Sequence, residues 1–288
     1  QPPHSINYQA LEKLDDILTW AELHNVKIII DPHAVPCTKK RTTTKASDLF
    51  WSSDLCKKSY IAMWSTIAKR YASRGNVIAG YDLINEPKIS YDKDGLSLNN
   101  WSTLIKDLIK VIRKHDLTNT IIIEPPTGFD TQGNHIDPFS AFNYLGPPMD
   151  HNVVYSPHLY KPGQFTHQGV GERKKVFRYP GKIGGRYWDK PSLKDLMKPA
   201  FDYQHKYNVP IFIGEFSAVR WAGPDGNNYL KDAIEIFEDY SWSWAYHAWR
   251  ESHFWDPEIT GFKKTDRKRS ETAPRMTLLK QYFKLNGE

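Results

Sequence analysis

The sequence predicts an α/β fold of the (β/α)8 TIM-barrel type, with about six strand–helix units evident along the chain. Three observations carry this expectation. Short β-branched runs alternate with segments of helical period from end to end, and the runs are apolar on both faces, as in a parallel sheet wrapped by helices. Polar residues gather at the C-terminal ends of those runs, which is the active-site face of a barrel. A doubly wound open sheet would also bind ligands there, but it would carry a glycine-rich fingerprint after its first strand. No G-x-G-x-x-G, G-x-x-x-x-G-K-[ST] or G-x-S-x-G occurs.

The elements follow in order. Residues 8–24 place Leu11, Leu14, Ile17, Leu18, Ala21 and Leu23 at helical spacing, with Asn7 available as a cap and Asn25 as a stop. Residues 27–33 read as a buried strand stopped by Pro32, and a polar loop with three threonines leads to a helix at about 59–72. Residues 77–84 form the next strand, climbing to Asn85-Glu86 and ended by Pro87. A helix at about 99–115 precedes the strand 120–125, and a Gly/Asp/Pro-rich stretch leads to the strand 153–160. A long loop is expected over 161–190, then a helix at about 192–207 and the strand 209–216. Helices at about 228–240 and 275–285 flank the last strand, 242–249, and a loop over 250–273. The chain opens on a helix where an eight-fold barrel should open on a strand.

At 288 residues the chain can bury one large core. With 39 basic and 33 acidic residues the net charge is +6. The basic runs 173–175 and 263–269 lie in segments without apolar period, so they read as solvated loops and no nucleic-acid partner is expected. No stretch approaches the ~20 apolar residues of a membrane span. Gln1-Pro2-Pro3-His4 lacks the charged and apolar regions of a signal peptide. Cys37 and Cys56 could close a disulfide or remain free thiols; neither lies in a metal-type cluster.

The chemistry gathers at two strand ends. Glu86, after 77–85, and Glu215, after 209–214, each present a carboxylic acid at the end of an apolar run. A retaining glycosidase needs such a pair, one protonated to assist the leaving group and one ionised to attack the anomeric carbon. An ion pair with a neighbouring arginine explains either glutamate alone, though less readily both together. Asn85 could donate its amide to the sugar 2-hydroxyl or form a turn before proline. His158 and Tyr160 share one face by the period of two and could hydrogen-bond the carboxylates, and His33 and Trp249 occupy the same rim. Two carboxyls in these roles imply a bell-shaped rate profile on the acid side of neutrality. His33, His158 and His247 lack paired ligand spacing, so no metal or other cofactor is expected.

Taken together these residues resemble glycoside hydrolase family 5, the cellulase and mannanase family of (β/α)8 barrels. Asp82-Leu83-Ile84-Asn85-Glu86-Pro87 is similar to its acid/base signature, and Ile213-Gly214-Glu215-Phe216 to its nucleophile segment. The resemblance implies Glu86 as acid/base, Glu215 as nucleophile, Asn85 at the 2-hydroxyl, His158 and Tyr160 as supports, and Trp249 under the −1 sugar. Phe165-Thr166-His167-Gln168-Gly169 resembles a segment of cellulase-like members. The expected substrate is therefore β-1,4-glucan, cleaved by a secreted or periplasmic enzyme, with β-mannan or another β-glucan as the alternative. Trp188, Trp221, Trp255 and Tyr187 fall in rim loops and are candidate sugar platforms.

One departure stands at the front. Family members carry two further strands before the first helix, and the second bears an arginine that braces the nucleophile; residues 1–7 hold none. The chain accordingly reads as one catalytic domain over 1–288 in which barrel units three to eight are present. Either the barrel is incomplete and activity impaired, leaving a carbohydrate-binding or assembly protein, or the open edges of the strands at 27–33 and 242–249 are covered by a second copy or a rearranged segment. A homo-oligomer is the expectation, because unpaired strand edges and exposed apolar faces invite association.

Overall fold

The computed structural model describes residues 6–37 and 47–287. They fall into two compact units, one reaching Ser156 and taking up 203–210, the other comprising 157–202 and 211–288.

The first unit is built on a four-stranded parallel sheet. Its strands are β1 (Ile28–Ile30), β2 (Ile78–Asp82), β4 (Thr120–Ile123) and β7 (Val153–Tyr155), in that order, with β3 (Lys88–Tyr91) in a separate sheet. Gly80 lies opposite Thr120, where a Cβ would come within 3.1 Å of the Thr120 carbonyl and 3.0 Å of the Ile122 side chain, so any other residue requires these neighbours to give by a few tenths of an ångström. Beyond β7 the Tyr155 N–H donates to the Pro210 carbonyl at 3.2 Å. The Gly/Asp/Pro-rich stretch is more ordered than the sequence suggests. Strand β5 (Thr127–Asp130) pairs in parallel with β3 and antiparallel with β6 (His135–Ile136). Runs of two to four residues are too short for periodicity to find.

Helices cover this sheet as their apolar spacing requires. After α1 (Tyr8–Leu23) and the short α2 (Ser47–Ser52) comes α3 (Asp54–Tyr71), which buries Tyr60, Trp64 and Tyr71 on one face. Its N-cap Ser53 accepts from the Cys56 N–H. Helix α4 (Leu96–Arg113) buries Trp101, Leu104, Ile105, Leu108, Ile109 and Ile112, an i, i+3, i+4, i+7 stripe in which each side chain contributes about 1.5–3 kcal/mol relative to exposure. Asp92 accepts the N–H groups of Leu96 and Ser97 and so caps its first turn. Cys37 and Cys56 form a disulfide. Helix α1 buries Leu11, Leu18 and Ala21 but leaves Ile17, Trp20 and Leu23 exposed. Among the described residues β1 has a partner strand on one side only.

The second unit contains α5 (Gly163–Thr166), the hairpin β8 (Gly181–Ile183) and β9 (Arg186–Trp188), and most of α6 (Lys190–Tyr207). The expected loop over 161–190 is thus corrected to a helical turn and a hairpin. Strand β10 (Phe212–Phe216) pairs in parallel with β11 (Ser243–Tyr246), and Leu159 bridges to Phe216, also in parallel. Helices α7 (Gly223–Asp239) and α8 (Pro274–Phe283) complete the unit. All six expected parallel strands are present, each shorter than the apolar run that announced it.

Candidate active site

The two glutamates lie in different units, and each has its own set of partners. In the first unit, the end of β2 is held by α3: the Tyr60 hydroxyl and the Trp64 indole N–H both donate to the Leu83 carbonyl, at 2.7 and 3.1 Å. Asn85 follows, only 6% exposed. Its Nδ2 lies 3.4 Å from Nε2 of His33, whose Nδ1 lies 3.0 Å from Asp31 Oδ2. With Nδ1–H given to Asp31, Nε2 carries the lone pair and accepts from the amide. The amide is therefore fixed across the strand ends by His33, and a local turn is not what orders it.

Glu86 is half-buried and has φ 41°, the left-handed region that β-carbon sterics disfavour. A residue before proline is further restricted toward extended backbone. Its N–H donates to Oε2 of Glu124 at 2.8 Å. Glu124 is 4% exposed and stands near Asp82, which is 5% exposed. Burial, and then the negative charge of Asp82, push the Glu124 carboxyl well above the usual carboxylate range. The first unit therefore holds a second strand-end glutamate behind the first.

In the second unit, the Leu159 N–H donates to the Glu215 carbonyl at 2.8 Å, which sets 157–160 alongside β10. The period of two then turns His158 and Tyr160 to one side of buried Leu159. The Tyr160 hydroxyl donates to Oε2 of Glu215 at 2.8 Å, and His158 Nδ1 lies 3.8 Å from the same oxygen. Thr166, at the end of α5, donates its hydroxyl to the Tyr160 carbonyl at 2.6 Å, so the 165–169 segment braces the tyrosine. His247, weighed from the sequence only as a metal ligand, places Nδ1 3.6 Å from Glu215 Oε2 and Nε2 3.9 Å from Glu251. Among the described residues of this unit no arginine pairs with the Glu215 carboxylate; a phenol and two imidazoles surround it.

The aromatic candidates separate. Trp249 is 60% exposed, with the Arg250 guanidinium 4.6 Å from its ring centroid, and Tyr187 is 59% exposed. Trp188 is buried, its indole N–H bonded to the Ile183 carbonyl across the β8–β9 hairpin; the expectation of a sugar platform fails there because it has no ring face to offer. Trp221 donates Nε1–H to the Gln168 carbonyl and has the Lys264 ammonium 5.2 Å from its ring. Trp255 is 8% exposed and packs edge-on against His167, with Tyr160 beside it.

Residues 1–253 match the sequence model of Cellulase (glycosyl hydrolase family 5). The chain is 25% identical to Endoglucanase C of Acetivibrio thermocellus over 256 residues, covering 80% of this chain and 70% of that one. It is 26% identical to Endoglucanase 3 of Fibrobacter succinogenes over 269 residues, covering 81% and 38%. Among solved structures, a hyperthermophilic endo-β-1,4-glucanase in complex with substrate superposes with a TM-score of 0.71 at 22% identity, over 96% of this chain and 80% of that one. The fold is thus of the (β/α)8 barrel type.

Proposed function

The chain belongs to the cellulase family, glycosyl hydrolase family 5, and on that premise we propose that it hydrolyses β-1,4-linked glucan at internal bonds with retention of anomeric configuration. In the first step a Glu215 oxygen attacks the anomeric carbon as the glycosidic C–O bond breaks. The leaving oxygen takes its proton from the Glu86 carboxylic acid. In the second step Glu86, now a carboxylate, removes a proton from water while the water oxygen attacks the same carbon and Glu215 departs. Each step inverts the centre, so the pair retains it, and the chemistry calls for carboxyl groups about 5–5.5 Å apart.

The observation that carries this reading is the hydrogen bond from the Tyr160 hydroxyl to Glu215 Oε2, at 2.8 Å. It holds one oxygen and so orients the other for attack, with the His158 and His247 rings beside it. In the first unit Asn85, steadied by His33, is the donor for the 2-hydroxyl, a bond that strengthens as the oxocarbenium character develops. Trp249 and Tyr187 are the exposed rings available to stack on sugar faces. The Cys37–Cys56 disulfide supports a secreted or periplasmic location, where such bonds persist.

Reducing-end release should be greatest on barley β-glucan and carboxymethyl-cellulose, and proton NMR of the first product should show the β-anomer ahead of mutarotation. Faster release from mannan would overturn the substrate, an α-anomer would overturn the mechanism, and binding without hydrolysis would favour a carbohydrate-binding protein. Self-association is part of the proposal. A groove of about 810 Å³ lined by Leu11, Leu14, Val35 and Met63 is the face concerned. Light scattering should give a multiple of 33.4 kDa, and a monomeric mass would sink this part.

A further inference from the structure

The ladder between the segments that carry Glu86 and Glu124 is interrupted. The β2–β4 pairing ends with Asp82 opposite Ile122 and the Leu83 N–H on the Ile122 carbonyl. Pairing resumes where the Thr127 N–H donates to the Pro87 carbonyl at 2.8 Å, opening the β3–β5 register of Lys88 with Thr127. Between these points the two strands run through Asn85-Glu86-Pro87 and Glu124-Pro125-Pro126. Three prolines in the gap supply no N–H, so a regular ladder cannot form there. The Glu86 N–H lies in this gap, on a backbone at φ 41° ahead of a proline, and the acceptor that meets it is the Glu124 side chain at 2.8 Å.

We propose that Glu124 is a positioning residue for Glu86, its carboxyl standing in for the missing rung and holding the catalytic residue in its left-handed turn. Burial makes the contact decisive. Glu124 and Asp82 are 4% and 5% exposed, so water does not readily replace the carboxyl oxygen. Without it, the Glu86 backbone relaxes from the strained conformation toward the extended region that its proline favours, and the side chain swings with it. A protonated carboxyl serves as well as an anion here, since the N–H needs only a lone pair. Glutamine offers the same acceptor on the same stem; leucine offers the volume alone.

The proposal rests on Glu86 being the acid/base, and the test separates the two. Kinetics would be run on β-glucan, whose leaving group needs a proton, and on 2,4-dinitrophenyl β-cellobioside, whose leaving group does not. Glu124→Leu should lose ~10²-fold in kcat/KM on β-glucan, the scale expected for an ångström-sized misplacement, while kcat/KM on the aryl substrate, which reports the first step alone, falls only a few-fold. Glu124→Gln should recover most of that loss. If leucine disrupts folding, Glu124→Asp, which draws the oxygen back by one methylene, replaces it with the same expectation. Equal losses on both substrates, or no recovery with glutamine, would overturn the positioning role. Glu86→Ala is the control: if it shows no leaving-group dependence, the acid/base assignment itself is what fails.

Discussion

Replacing Glu215 by alanine is expected to lower kcat on β-glucan and on the activated aryl cellobioside alike, by roughly 10⁴- to 10⁶-fold, as removal of a covalent nucleophile does. The loss is independent of the leaving group because the missing atom is the one that attacks carbon. Tyr160, His158 and His247 point donors at a carboxylate oxygen, and those donors remain after substitution around a small void. Azide or formate can enter that void and attack the anomeric carbon directly. A single inversion then follows, so added azide should restore turnover on the aryl substrate and yield the α-glycosyl azide. Glu215→Gln keeps an acceptor for the tyrosine and fills the void, so it should be as inactive as alanine and resist rescue. Unfolding temperatures near wild type, read by calorimetry, would show the loss to be chemical. Retention of more than a hundredth of wild-type kcat would overturn the assignment.

The parts of this site that were legible in the sequence are those set by local pattern. Apolar runs closed by proline marked the strands that deliver His33, Asn85 and Glu86, and the period of two put His158 and Tyr160 on one face. Pairing of Leu159 with Glu215 and Phe216 then brings that tyrosine onto the carboxylate. What was missed depends on which segment lies beside which. Glu124 had a signal, for Ile122-Ile123-Glu124-Pro125 repeats the Ile-x-Glu-Pro of Ile84-Asn85-Glu86-Pro87 more closely than Glu215-Phe216 does. Its role appears only once β4 is paired with β2. His247 follows β11, which ends at Tyr246, so strand alternation no longer decides where its ring goes. Trp188, in a stretch rich in glycine and lysine, reads as exposed. The antiparallel register of Gly181 with Trp188 turns it inward instead. The sequence also shows no strand to carry the family's bracing arginine, and among the described residues of its unit a phenol and two imidazoles meet the Glu215 carboxylate.

Glu86→Ala should behave in the opposite way to Glu215→Ala, and the contrast distinguishes the two carboxyls more sharply than either loss. General acid catalysis contributes about 10²–10⁴-fold where the departing oxygen must be protonated, so β-glucan hydrolysis should fall by that factor. With 2,4-dinitrophenolate as leaving group the first step needs no proton. The glycosyl-enzyme should then form at nearly the wild-type rate and accumulate, because the base that activates water in the second step is gone. A burst of one dinitrophenolate per active site followed by slow turnover is the expected trace. Azide, an anion that needs no base, should relieve the slow step and give the β-glycosyl azide, since attack on the covalent intermediate inverts the centre a second time. The α-azide from Glu215→Ala and the β-azide from Glu86→Ala together require that one carboxyl attacks and the other moves protons. An α-product from both variants, or an equal loss of the first step on both substrates with no burst, would exclude that division. In the proposed scheme Asn85 would act by placement through the sugar 2-hydroxyl, and Glu124 through the Glu86 backbone. Substitution of Glu124 should therefore slow the first step chiefly on poor leaving groups, and substitution of Asn85 should slow it on both substrates, without changing which azide anomer forms.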